Sequence, residues 1–95
     1  MHKSVAWFTE QMEQKLKENR HKGGWSKCER WWLIKRLKEE VYELDLSMGR
    51  HLSNSEEIIR EAADVANFAM MIADNEKRRI HRREKRKEKT NERNI

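Results

Sequence analysis

The chain contains no proline and only three glycines, Gly23, Gly24 and Gly49, among 95 residues. Glycine and proline supply much of the special backbone geometry of tight turns, so few chain reversals are available. An all-β sandwich needs many turns at close intervals, and this chain lacks the residues to make them. What remains is a few long helices broken near the glycines. The length allows one domain at most, with no room for a large α/β enzyme core. Charged residues make up 41% and hydrophobic residues 36%, so any core is thin. No run of about 18 apolar residues exists to span a membrane. The first residues, Met1-His2-Lys3-Ser4, lack an apolar signal core, and a cytoplasmic location is expected. The single cysteine, Cys28, cannot form an internal disulfide and fits a reducing compartment. A metal site built on cysteines is excluded.

Three helical segments are predicted. The first runs from about Val5 to Asn19, with Val5, Phe8, Met12 and Leu16 on one face, Ser4 as N-cap and Gly23-Gly24 ending the unit. The second runs from about Lys27 to Met48. Ser26 and Glu29 have the spacing of a capping box, and Ile34, Leu37, Val41, Leu44 and Met48 form a narrow bundle-type seam. Gly49 stops it. The third begins near Ser53 or Asn54 and continues at least to Asp74. Its stretch IIREAADVANFAMMIA is apolar almost all round, which marks a buried helix. Beyond Asn75 the apolar face vanishes. Residues 75–95 carry ten Lys/Arg against four Asp/Glu, whereas residues 1–74 carry twelve against thirteen. The net charge of +5 therefore belongs to a basic tail, expected to be a protruding helix steadied only by local pairs such as Glu84 with Lys87 and Glu88 with Lys85. The fold class expected is all-α: a bundle of three main helices per chain, completed by homo-oligomerisation because a body this small is marginal alone, with a basic C-terminal helical extension. Residues 1–75 form the domain and 76–95 the tail.

The chemistry this chain can offer lies in its carboxylates. Glu40 and Glu43 form E-x-x-E on the second helix, and Glu61 and Asp64 form E-x-x-D on the third. Residues three apart project toward one side of a helix. Glu40 flanks the seam, and Glu61 and Asp64 lie among Ala62, Ala63, Val65 and Ala66. Such carboxylates facing one another repel and are costly to desolvate, and a divalent cation removes that cost. Oxygen-only ligands favour hard ions, Mg²⁺ first, then Mn²⁺ or Ca²⁺. An E-x-x-E pair in so charged a chain also reads as a solvated helix face, and Glu39, opposite the seam, as a bystander. The E-x-x-D pair is harder to read that way.

The string KRLKEEVYEL followed by EAADVANFAMMIAD resembles the MazG-like branch of the all-α NTP pyrophosphatases, and HKGGW upstream is similar to short phage- and prophage-type members. The resemblance covers roughly residues 5 to 75; the basic tail lies outside the family pattern. It implies that Glu40, Glu43, Glu61 and Asp64 are Mg²⁺ ligands, with Mn²⁺ able to substitute, and that Glu39 orients the attacking water. It also implies hydrolysis of a nucleoside triphosphate to a monophosphate and pyrophosphate. The residues agree with such chemistry, since phosphoryl transfer needs charge neutralisation and positioning more than a covalent nucleophile. The alternative function is a small helical nucleic-acid-binding or regulatory protein that acts through its basic tail.

Other side chains have two readings each. Lys22 meets a phosphate or solvent. Trp25 stacks on a base or caps the core. Asn67, one turn beyond Asp64, bonds a metal water, a sugar hydroxyl or a phosphate, or else bridges two helices. Arg36 and Lys38 neutralise phosphate or, the preferred reading, are solvated. Trp31 and Trp32 face different sides, so at least one belongs to the core or to a subunit interface. The partners expected are a nucleoside triphosphate and a second copy of the chain, as a dimer or tetramer. Nucleic acid is a further partner open to the tail, and no membrane is expected.

Overall fold

A computed structural model describes residues 1–51 and 54–93, with side chains described to residue 90. The protein is an all-α three-helix bundle. Helix α1 spans Lys3–Glu18, a 3₁₀ turn follows over Arg20–Lys22, α2 spans Arg30–Gly49 and α3 spans Ser55–Arg93. Helices α1 and α2 each pack on α3, which is the long axis of a molecule measuring 67 × 30 × 23 Å. No helix among the described residues is long and apolar enough to cross a membrane.

The helix starts differ from those the sequence predicts. Helix α1 begins at Lys3 with His2 in the N-cap position and no side-chain cap, so Ser4 is already inside the first turn. The chain leaves α1 through the 3₁₀ turn, and Gly23, at φ 87°, ends that turn rather than the helix itself. The Ser26–Glu29 capping box does not form: Glu29 is the N-cap of α2, without a side-chain cap bond. Its carboxylate instead accepts the indole N–H of Trp31, while Cys28 N–H donates to Trp25 O and closes a turn across Ser26. Helix α3 is capped by Asn54, whose Oδ1 accepts the N–H groups of Glu56 and Glu57 at 2.9 and 3.3 Å. The competing candidate, Ser53, lies outside the described residues.

The seam of α2 is also rotated from its expected position. The buried line is Leu33, Leu37, Glu40, Leu44 and Ser47, of which Leu33 and Ser47 are fully enclosed. Ile34, Val41 and Met48 face outward in the single chain. Ser47 on α2 and Ala63 on α3 are both small and fully enclosed. Glu40 lies on the same inward line of α2, half-buried. Among the described residues the fully buried apolar ones are Leu33 and Ala63, a thin core for three helices.

Polar contacts fix the helices where apolar burial is scarce. Arg60 forms a fork to Glu18 at 3.1 and 2.8 Å, tying α3 to α1. Arg30 does the same to Glu76 at 3.0 and 2.6 Å, tying α2 to α3. The loop between α1 and α2 is anchored by two neighbours on α3. Trp25 Nε1 donates to Asp74 Oδ2 at 3.0 Å, and Asn75 Nδ2 donates to the carbonyls of Trp25 and Cys28 at 2.9 and 3.4 Å. Asn75 is among the most enclosed side chains, at 2% exposure, and α3 passes through it unbroken. Asn75→Ala leaves the loop carbonyls without this donor and is expected to cost about 1–3 kcal/mol. For a domain of this size each kcal/mol moves the melting temperature by about 4–8 °C, so thermal unfolding reads the effect directly. An unchanged melting temperature would show that Trp25 and Asp74 hold the loop without Asn75.

The extension past Asn75 remains one helix to Arg93. From His81 to Thr90 every side chain is exposed. Neither Glu84–Lys87 nor Lys85–Glu88 forms an ion pair among the described residues. Local pairing in the extension is that of Arg79 with Glu76, and beyond it His81 Nδ1 stands 4.0 Å from Glu84.

Candidate metal centre

Each carboxylate reaches the centre because of where its helix turns. Glu40 lies on the inward line of α2, and Glu61 and Asp64 lie one turn apart on the facing side of α3. One carboxylate oxygen from each of Glu40, Glu61 and Asp64 comes within 4.8 Å of the other two, and all three residues are half-buried. Opposite ligands of Mg²⁺ stand about 4.2 Å apart, and those of Ca²⁺ about 5 Å. Oxygens within 4.8 Å of one another could share one hard divalent cation, Mg²⁺ or Ca²⁺.

The electrostatics show the cost of this arrangement. Burial first, and the Asp64 carboxylate second, hold Glu40 above the usual carboxylate range; Arg36 opposes them and Glu43 adds to them. Burial, then Asp64, Glu40 and Glu43, push Glu61 up in the same way, with Lys15 opposing. The protein answers with two cations. Lys15 of α1 sits 3.3 Å from Asp64 Oδ2, with both side chains largely covered. Arg36 donates to Glu40 at 2.9 Å and to Glu39 at 2.5 Å, and its guanidinium lies 4.9 Å from the centre of the Phe68 ring. Burial works against that cation, but Glu39 and Glu40 outweigh it and raise its pKa.

Two grooves meet at the cluster. The outer one, about 880 Å³, is open and polar; it runs along α2 past Trp31, Glu39 and Glu43 to Glu61 and Asp64. The inner one, about 750 Å³, lies under the α1–α2 loop, with Trp25, Trp32, Phe68 and Met71 along its walls. Glu40, Asp64 and Arg36 border both grooves.

The predicted site residues fall as follows. Glu40, Glu61 and Asp64 are brought together. Glu43 is exposed on the outer groove and stands outside the trio. Glu39, about half exposed, is held by Arg36. Lys22 and Trp25 line the inner groove, where the Trp25 N–H is already committed to Asp74. Asn67 also borders that groove, is 4% exposed, and bridges α3 to α1 through a 3.0 Å bond from Nδ2 to Met12 O. Its Oδ1 has no partner among the described residues. Trp31 lies on the outer groove and Trp32 on the inner. Sequence reasoning left Lys15 out and read Arg36 as solvated. For Lys15 the usable signal was its position beside Met12 and Leu16 on the inward face of α1. For Arg36 it was the four-residue step to Glu40, along the line through Leu33 and Leu37.

The fold and the site together define an all-α three-helix protein with a half-buried carboxylate trio shared by two helices. No protein-family model, no curated protein and no solved structure matches the chain.

Proposed function

We propose that the protein is a Mg²⁺-dependent nucleoside triphosphate pyrophosphohydrolase of the MazG-like kind. The observation that carries this reading is the convergence of Glu40, Glu61 and Asp64 oxygens within 4.8 Å at the meeting point of a polar and an aromatic groove. Glu40, Glu61 and Asp64 would hold Mg²⁺ or Mn²⁺, with Glu43 joining from the groove wall. Such an ion neutralises phosphate charge and acidifies a bound water. Glu39, beside the trio but outside it, is suited to take a proton from a water held in the outer groove. The walls formed by Trp25, Trp32 and Phe68 offer ring faces to a nucleobase. Lys22, at the mouth of the inner groove, offers a cation to phosphate oxygens, and Arg36 and Lys15 stand next to the trio as further counter-charges. Asn67 ties α3 to α1 through Met12 O beside the inner groove. A second copy of the chain would cover the outward face of α2, where Trp31, Ile34, Val41, Tyr42 and Met48 are 42–62% exposed.

The test is pyrophosphate release from a panel of common dNTPs and NTPs with Mg²⁺ present. Monophosphate and pyrophosphate in equal amounts from at least one of them is the expected result. No release from any of them, with either Mg²⁺ or Mn²⁺, would overturn the reading.

A further inference from the structure

Helix α3 from Arg78 onward carries a charge pattern that the carboxylate centre does not use. At ~100° per residue, Arg78, Arg82, Lys85, Arg86 and Lys89 fall within an arc of about 100° on one side of the helix. No Asp or Glu between residues 75 and 90 shares that arc; Glu84 and Glu88 lie on the other side. A helix stabilised by its own surface charges alternates sign at steps of three and four. This one does the reverse: Arg78–Arg82, Arg82–Arg86 and Lys85–Lys89 are like-charged pairs four residues apart, each disfavouring the helix by a few tenths of a kcal/mol. Arg78 is balanced by Asp74 at 2.9 Å. Arg82, Lys85, Arg86 and Lys89 are in no ion pair among the described residues, and all are exposed.

We propose that this segregated face is a binding surface for duplex DNA, lying along the major groove and engaging its phosphates. The row from Arg78 to Lys89 is about 17 Å long, and duplex DNA presents one phosphate charge per about 1.7 Å of axis. A helix with its side chains is about 10–12 Å across, the width of the B-form major groove. The A-form groove of RNA is too narrow for it. Arginines dominate the row, and the planar guanidinium matches phosphate oxygens two at a time. A membrane surface fits poorly, because an interfacial helix needs an apolar face and Ile80 is the sole large apolar residue between Asn75 and Asn94. Bound phosphates remove the like-charge repulsion, so binding and helix formation in the arm reinforce each other.

The experiment uses the full chain and a mixed-sequence DNA duplex about two helical turns long, followed by fluorescence anisotropy at several salt concentrations. About five engaged cations give a log–log salt slope near −4 to −5, a several-hundredfold loss of affinity between about 50 and 200 mM salt. Arg82→Ala with Arg86→Ala should flatten the slope by about 2 units. Lys77→Ala with Lys87→Ala removes the same charge from outside the arc and should change the slope by less than half as much. Helix content by circular dichroism should rise when DNA is added to the wild type and not to the Arg82/Arg86 variant. Equal effects of the two double variants would overturn the proposal, since net charge alone would then explain binding. So would the absence of duplex binding at about 50 mM salt, or tighter binding to an RNA duplex of equal length or to phosphatidylserine vesicles. A change of mass in solution in the Arg82/Arg86 variant would assign the face to a subunit contact and overturn it too.

Discussion

Glu40→Gln and Asp64→Asn are each expected to lower pyrophosphate release by at least about a hundredfold, with helix content unchanged. Each substitution keeps the side-chain volume and replaces a charged oxygen of the trio with an amide. A metal that neutralises phosphate charge contributes several kcal/mol to the transition state, and each 1.36 kcal/mol is a factor of ten in rate. Glu43→Gln should cost less than either, because Glu43 lies on the groove wall outside the trio. The same ordering should hold for metal affinity measured by calorimetry without nucleotide. Near-wild-type turnover in both Glu40→Gln and Asp64→Asn at saturating Mg²⁺ would remove the trio from the catalytic role. Retained metal affinity with lost turnover would move the metal elsewhere and leave the trio a different part in the reaction.

Mg²⁺ itself should raise the melting temperature, and by an amount that depends on pH. An ion that binds only the folded protein stabilises it by about 2.7 kcal/mol at a hundred times its Kd, and each kcal/mol is worth about 4–8 °C in a domain this small. The pH dependence follows from Glu40 and Glu61, whose folded pKa values lie above the usual 4.5. At a pH between the usual and the raised values, the folded state holds protons that the unfolded chain has released. Without metal, these two groups therefore contribute a stability that is fully present below the usual value and lost as pH rises through the raised ones. Metal binding has the opposite slope, because the ligands must be deprotonated. The gain in melting temperature from Mg²⁺ should thus be near zero at the acid end of the carboxylate range and reach its full size near neutrality. Melting curves with Mg²⁺ and with a chelator, taken across that range, measure it. A gain independent of pH would point to ions condensing on the chain as a whole rather than to these carboxylates.

How much of this could be read from the residues depends on the kind of signal. Three helices and their order followed from periodicity, because burial of an i, i+3, i+4 stripe is a local rule; Glu40 was placed only beside the seam, and its grouping with Glu61 and Asp64 as ligands rested on the family resemblance. The rotation of α2 did not follow. Its outer face, with Ile34, Val41 and Met48, is as apolar as its inner one, so periodicity alone could not choose between them. The choice is made by packing against α3, a property of two helices together. Asn75 looked like the end of the body, because an asparagine among charged residues reads as surface. Its burial comes from the carbonyls of Trp25 and Cys28, about fifty positions away in the chain. The capping box failed for a local reason: Cys28 N–H closes a turn on Trp25 O, and the Glu29 carboxylate accepts the Trp31 indole N–H instead. Lys15 and Arg36 were passed over because a cation beside an apolar stripe is ordinarily solvated, and only the assembled site supplies the carboxylates that draw it in.

The continuity of α3 has a geometric consequence. Asp64 and Arg82 stand 18 residues apart on one unbroken helix, which is five whole turns and about 27 Å of rise. The carboxylate trio and the cationic row are therefore phase-locked: they look out along nearly the same meridian of one rod, at a set separation. Inserting a single residue between them would lengthen the rod by about 1.5 Å but swing the far end by about 100°. Spacing along this helix is forgiving, whereas azimuth is not. An ion held by the trio and a polyanion held by the row would be presented on the same side of α3, in a register set by the count of residues in between.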